Sequence, residues 1–156
     1  MFNADRFSLL LEEWLPTTDS VTDMTRQDDD TWRLLSAESL PLHVACDVER
    51  EMITFSATIG SVLPENRQAT FEAMLLLNSA SGAGGVRHGL NAPLGEIQLE
   101  LDLPAAQATP DSLSAVVDAL ITRAALWLGI VARGGLDADA SDIEELAPAT
   151  SDFLRV

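Results

Sequence analysis

A chain of 156 residues, 47% of them apolar, can bury a core of its own, and its formal charge of −16 comes from 25 acidic against 9 basic side chains spread along its length. All the basic residues are Arg and none are clustered, which argues against nucleic acid or anionic lipid as partner and for a basic or amphipathic protein. Cys46 has no second cysteine to pair with, Asp5, Arg6, Glu12 and Glu13 interrupt any signal-peptide run, and no stretch approaches the ~18–20 apolar residues of a membrane span, which together fit a reducing cytoplasm.

Asn3 and Asp5 open a first helix, with Phe7, Leu10, Leu11 and Trp14 on one face and Pro16 at its end. Such a stripe ordinarily docks on its own core; the functional alternative leaves part of it exposed to a partner. Residues 17–31 are polar and read as a solvated loop. The run Asp28, Asp29, Asp30 within it lacks the glycine and distal Glu of a calcium loop. Residues 32–35 form a short strand candidate. Leu42, Val44, Cys46 and Val48 alternate with polar neighbours, as do Ile53, Phe55, Ala57 and Ile59, and Glu49, Arg50 and Glu51 between them suit a hairpin turn.

Pro64 and Glu65 open a second helix that is apolar on more than one face, Phe71, Met74 and Leu75 on one side and Leu76 and Leu77 on another. One small sheet covers only one side, so a second copy of the chain is the economical cover. The expected homodimer interface holds Phe71, Met74, Leu75, Leu76 and Leu77, with Val86 and Leu90 from the neighbouring strand. Ile97, Leu99, Leu101 and Leu103 alternate with Glu96, Gln98, Glu100 and Asp102 in the clearest strand of the chain. Thr109, Pro110 and Asp111 start a long helix whose stripe is Leu113, Val116, Val117, Leu120, Ile121, Ala124 and Leu128, and Gly134 and Gly135 stop it. Residues 1–135 thus read as one α+β domain. Residues 136–156 read as an acidic tail with one short helix, capped by Ser141 and Glu144, and Phe153 and Leu154 beyond it.

Signatures of catalysis are missing. The glycine-rich turn Ser81, Gly82, Ala83, Gly84, Gly85 lacks the Lys of a phosphate loop, and Arg87 stands where a dinucleotide fingerprint needs glycine. His43 and Cys46 point to opposite faces of one strand, so they cannot form a nucleophile–base pair. Two histidines and one cysteine are too few for a conventional zinc site. Glu96, Glu100 and Asp102 share a strand face that reads as solvated. No cofactor and no metal are expected, and the chain does not read as an enzyme.

The order of elements over residues 71–127, with Ile59–Gly60 and Leu63–Pro64 before the second helix, Leu75-Leu76-Leu77-Asn78 ending it, then Gly85, Gly89-Leu90, the alternating strand and Trp127, resembles the class I chaperones of bacterial type III secretion, the Tir chaperone (CesT/SycE-like) family. The resemblance covers roughly residues 5–130. It implies a twisted antiparallel β-sheet with three main helices, helix first, in a cytoplasmic homodimer. Such a dimer would hold the N-terminal segment of a secreted effector in extended form, soluble and ready for secretion, without ATP. Its candidate client-binding residues are Phe7, Leu11 and Trp14, with Leu42, Val44 and Met52 on nearby strands. Three other readings compete with it: an adaptor of the same fold with an apparatus or regulatory partner, an acidic inhibitor that mimics DNA charge, and, last, an enzyme, which a buried, partnered carboxylate or histidine in a cleft would bring back.

Overall fold

A computed structural model describes residues 1–81 and 85–136. The centre of the glycine-rich turn, the Ser141–Glu144 cap and Phe153 and Leu154 lie outside the described residues. The elements follow in the order α1 (Ala4–Trp14), β1 (Val21–Arg26), β2 (Thr31–Ser36), β3 (Pro41–Asp47), β4 (Met52–Gly60), α2 (Arg67–Ser81), β5 (Arg87–Asn91), β6 (Glu96–Pro104) and α3 (Pro110–Ala132). The strands form one antiparallel sheet in the order β1-β2-β3-β4-β6-β5. The three helices and the antiparallel sheet among the described residues are the architecture that the resemblance implies, with one strand more than the sequence pattern marks.

Contacts gather in two units. The first comprises Met1–Ala57 and Glu100–Thr122. Asn3 caps α1 as its sequence suggests, its Oδ1 accepting from Arg6 N at 2.8 Å. In the sheet, Trp32 pairs with Val44 and Val44 with Phe55, so one buried row crosses three strands. Phe7 stands edge-on against Trp32 with ring centroids 5.1 Å apart. Trp14 is buried and donates its indole N–H to Ser114 Oγ at 2.9 Å. Thr109 caps α3, accepting from Ser112 N at 3.2 Å.

Residues 17–31 are not all loop. Val21–Arg26 adds a sixth strand at the sheet margin. It escapes pattern reading because the register shifts between Val21 and Asp23, which breaks the alternation, and only Val21 is buried. The aspartate run is the turn that follows. There Arg26 donates to the carbonyls of Asp28, at 3.1 Å, and Asp29, and its guanidinium lies 5.4 Å from the centroid of Trp32.

The second unit comprises Thr58–Leu99 and Arg123–Val156, described as far as Leu136. The buried face of α2 is Thr70, Ala73, Met74 and Leu77, at helical spacing. This corrects the expected division of that helix. Leu77 shares the face of Met74, while Leu75 and Leu76 point outward together, 67% and 63% exposed. Beyond α3 the chain turns back over the start of α2. The Gly134 carbonyl accepts from Leu63 N at 2.8 Å and Asn66 Nδ2 at 3.2 Å, and Leu136 N donates to Thr70 Oγ1 at 3.0 Å. Gly134 has φ of 91°, and a Cβ there would sit 2.6 Å from Leu63 Cδ1, so only glycine fits.

α3 amends two expectations. Leu128 is partly exposed, and the buried stripe passes instead through Arg123, Trp127 and Ile130. With 23 residues the helix also reaches the length and apolar character of a membrane span, which no stretch of the sequence was expected to do. Its apolar residues Leu113, Val117, Leu120, Ala124 and Trp127 are buried within the protein, as in the core helix of a globular fold.

Candidate partner-binding groove

The residues expected to meet a client lie mainly inside the first unit. Phe7, Leu11 and Trp14 are 0% exposed, Leu42 and Val44 are buried, and Met52 is half-buried. The surface that α1 does present lies on its other flank. An open groove of about 550 Å³ runs there, lined by Met1, Phe2, Leu9 and Leu10 of the N-terminal segment and α1, and by Ala105, Ala106 and Ala108 after β6. Arg6, Glu13 and Glu51 supply its charges, and the buried Phe7 contributes its edge. Phe2 leans on Phe7 at 6.2 Å between centroids, and Leu9 is 66% exposed. The sequence signal for this groove was Leu9, a leucine off the buried stripe. The alanines after β6 carried no signal at all.

The two margins of the sheet differ. At β5, the Asn78 side chain of α2 grips the His88 backbone, its Nδ2 donating to His88 O and its Oδ1 accepting from His88 N, both at 2.8 Å. The side-chain amide thus takes the place of a neighbouring strand at that residue. At β1 the sheet ends in a strand whose exposed residues are Thr22, Asp23, Thr25 and Arg26.

The residues expected to form a dimer interface divide likewise. Met74, Leu77 and Val86 are buried in the second unit, Phe71 is half-buried, and Leu75, Leu76 and Leu90 are exposed. α2 packs against β5, so the exposed leucines lie on two adjoining elements.

Sequence reading missed one polar cluster. His88 and Arg123 are both over nine-tenths buried, and the His88 ring lies 5.4 Å from that of Trp127. His88 Nδ1 lies 3.0 Å from Asn78 Oδ1, an atom that accepts from the His88 backbone, so Nδ1 carries the proton. Burial, with Arg123 nearby, pushes the His88 imidazole down to about 4. Burial alone lowers the Arg123 guanidinium from its ordinary value. His88 Nε2, Arg123 Nη1 and Trp127 Nε1 are buried without hydrogen-bond partners among the described residues.

Cys46 faces inward and His43 outward, as their odd spacing requires. Burial, with Asp30 and Asp47 nearby, raises the Cys46 thiol to about 11, so it stays protonated at neutral pH. Thr54 Oγ1 donates to Asp102 Oδ1 at 2.7 Å on the outer sheet face. Among the described residues, no three His, Cys, Asp or Glu side chains converge as metal ligands would.

Solved structures share this fold. A chain of the ExsC–ExsE complex superposes with a TM-score of 0.66 at 18% identity, covering 83% of this chain and 96% of that one. A chain of the HopA1–SchA chaperone–effector complex gives 0.63 at 18% identity over 79% and 93%. The Yersinia pestis type III secretion chaperone SycH, in complex with a stable fragment of YscM2, gives 0.61 at 18% identity over 76% and 97%. A search of the curated proteins found no match. The family model for Tir chaperone protein (CesT) matches residues 11–128, well over half the sequence, and the chain belongs to that family.

Proposed function

We propose that this protein is a type III secretion chaperone that holds the N-terminal segment of a secreted effector in extended form in the bacterial cytoplasm, without catalysis or ATP. The observation that carries this reading is the open groove on the outer flank of α1, lined by Phe2, Leu9 and Leu10 together with Arg6, Glu13 and Glu51, in a chain of a chaperone family. Apolar client side chains fill the groove, and a client strand pairs with the margin at β1, since Asn78 already occupies β5 at His88. Candidate contact residues are therefore Phe2, Leu9 and Leu10, while Phe7, Leu11 and Trp14 support them from within. The acidic surface speeds the approach of a basic client and makes association salt-sensitive.

Pull-down from native lysate, followed by titration of the N-terminal fragment of the captured secreted protein, tests this. Leu9→Asp should weaken binding at least ten-fold with an unchanged circular dichroism spectrum, because a buried leucine contributes roughly 1.5–3 kcal/mol. Equal affinity for the folded variant, or binding only with nucleotide, would reject the reading.

We also infer a homodimer through the exposed face of α2, with Leu75, Leu76 and Leu90 in the contact and Phe71 beside them. Leaving a leucine in water forgoes roughly 1.5–3 kcal/mol relative to burying it, so a twofold partner is favoured. Light scattering should give a dimer for the wild type and a monomer for Leu76→Asp. A monodisperse wild-type monomer at micromolar concentration would sink the dimer.

A further inference from the structure

Glu51 adopts a backbone that suits glycine, with φ of 52° in the turn between β3 and β4. Its carbonyl accepts from Ala105 N at 2.8 Å, which ties that turn to the segment whose alanines line the groove. Glu51 lines the groove together with Glu13, and both residues are exposed. Neither carboxylate has an ion-pair partner among the described residues. Against these two carboxylates the lining holds one guanidinium, Arg6.

Resting on the client-binding reading above, we propose that the groove selects a client segment in which an aliphatic side chain adjoins an arginine or lysine. The aliphatic group lies over Ala105, Ala106 and Ala108 beside Leu9 and Leu10. The cation meets Glu13 and Glu51 at the rim. The pairing selects by charge: it admits a basic residue next to the apolar anchor and disfavours an acidic one, which would meet two carboxylates against the single guanidinium of Arg6. In a chain of charge −16, most of the surface attracts cations without discrimination; Glu13 and Glu51 differ in lining the same groove as Leu9 and Leu10, where position as well as sign is read.

A displayed library of random 12-residue peptides, panned against the full-length protein and against Glu13→Gln/Glu51→Gln, tests this. The wild type should enrich peptides with Arg or Lys next to an aliphatic residue, and the double variant should lose that preference while still enriching aliphatic ones. For a synthetic peptide so enriched, each single Glu→Gln change should weaken binding roughly three-fold at low salt, the scale of one exposed ion pair, and the difference should fade at high salt. Glu51→Gly separates recognition from folding. It relaxes the backbone, so the melting temperature should hold or rise while the peptide binds more weakly. Enrichment of aliphatic peptides with no basic preference overturns the selection proposed here and leaves the groove as a client site. Enrichment of nothing overturns both.

Discussion

Trp14→Ala should cost about 3–5 kcal/mol of folding free energy, the range for removing a large buried aromatic. A domain of this size holds only about 5–15 kcal/mol in all, so the variant stands at the edge of unfolding. The side chain is fully buried, and its indole N–H is bonded to Ser114 Oγ at 2.9 Å, so the substitution loses both packing and a hydrogen bond that ties α1 to α3. Phe7→Ala should lose a similar amount, since it empties the space against Trp32. Leu9→Ala, one turn away on the exposed flank, should change stability by no more than about 0.5 kcal/mol. Urea melts followed by circular dichroism measure all three. The contrast tells a support from a contact: in the reading proposed above, the buried Phe7, Leu11 and Trp14 fix α1 on the core, and Leu9 and Leu10 meet the client. A Trp14→Ala protein as stable as wild type that still failed to bind client would put the indole in the contact after all.

Legibility followed periodicity. The strands around Val44 and Phe55 and the strand from Ile97 to Leu103 alternate, and the structure buries their apolar sets on one face, except Val48, which lies past the end of β3 and is exposed. β1 was hidden because a register shift leaves it one buried residue, too few to show a period of two. The three consecutive leucines of α2 were ambiguous because adjacent helical positions lie 100° apart, and only the packing of α2 on β5 decides that Leu77 turns in and Leu75 and Leu76 turn out. Arg123 reads as a surface residue by type, yet its spacing from Leu120 and Trp127 puts it on the buried stripe. The groove was least legible. It joins residues 1–13 to Glu51 and to three alanines after β6, and nothing local in those segments signals that they meet.

Acid should destabilise the protein through His88. The imidazole titrates near 4 in the folded chain, below its ordinary 6.5, because it is buried and Arg123 stands near it. The folded state therefore favours the neutral ring. Its contribution is complete above about pH 6.5 and is lost as pH falls toward 4, because the unfolded chain takes up the proton first. A depression of this size corresponds to about 3 kcal/mol once both pKa values have been passed. The groups facing the ring are the Asn78 amide, the Trp127 indole and the Arg123 guanidinium, none of which can neutralise an imidazolium. Carboxylate protonation works the other way over part of this range, since it relieves the repulsion within a chain of charge −16. Comparison with His88→Gln isolates the ring. Between pH 6.5 and 4.5 the wild type should lose stability relative to His88→Gln, at up to about 1.4 kcal/mol per pH unit, the limit for one proton. Arg123→Met should lessen the total loss, because removing the nearby cation lets the folded-state pKa rise toward its ordinary value. Parallel curves of melting temperature against pH for wild type and His88→Gln would show that the ring takes up no proton on unfolding. His88 joins β5 to α2, the two elements that carry the exposed leucines of the inferred dimer, and packs on Trp127 of α3, so acid should loosen self-association over the same interval in which it lowers the melting temperature.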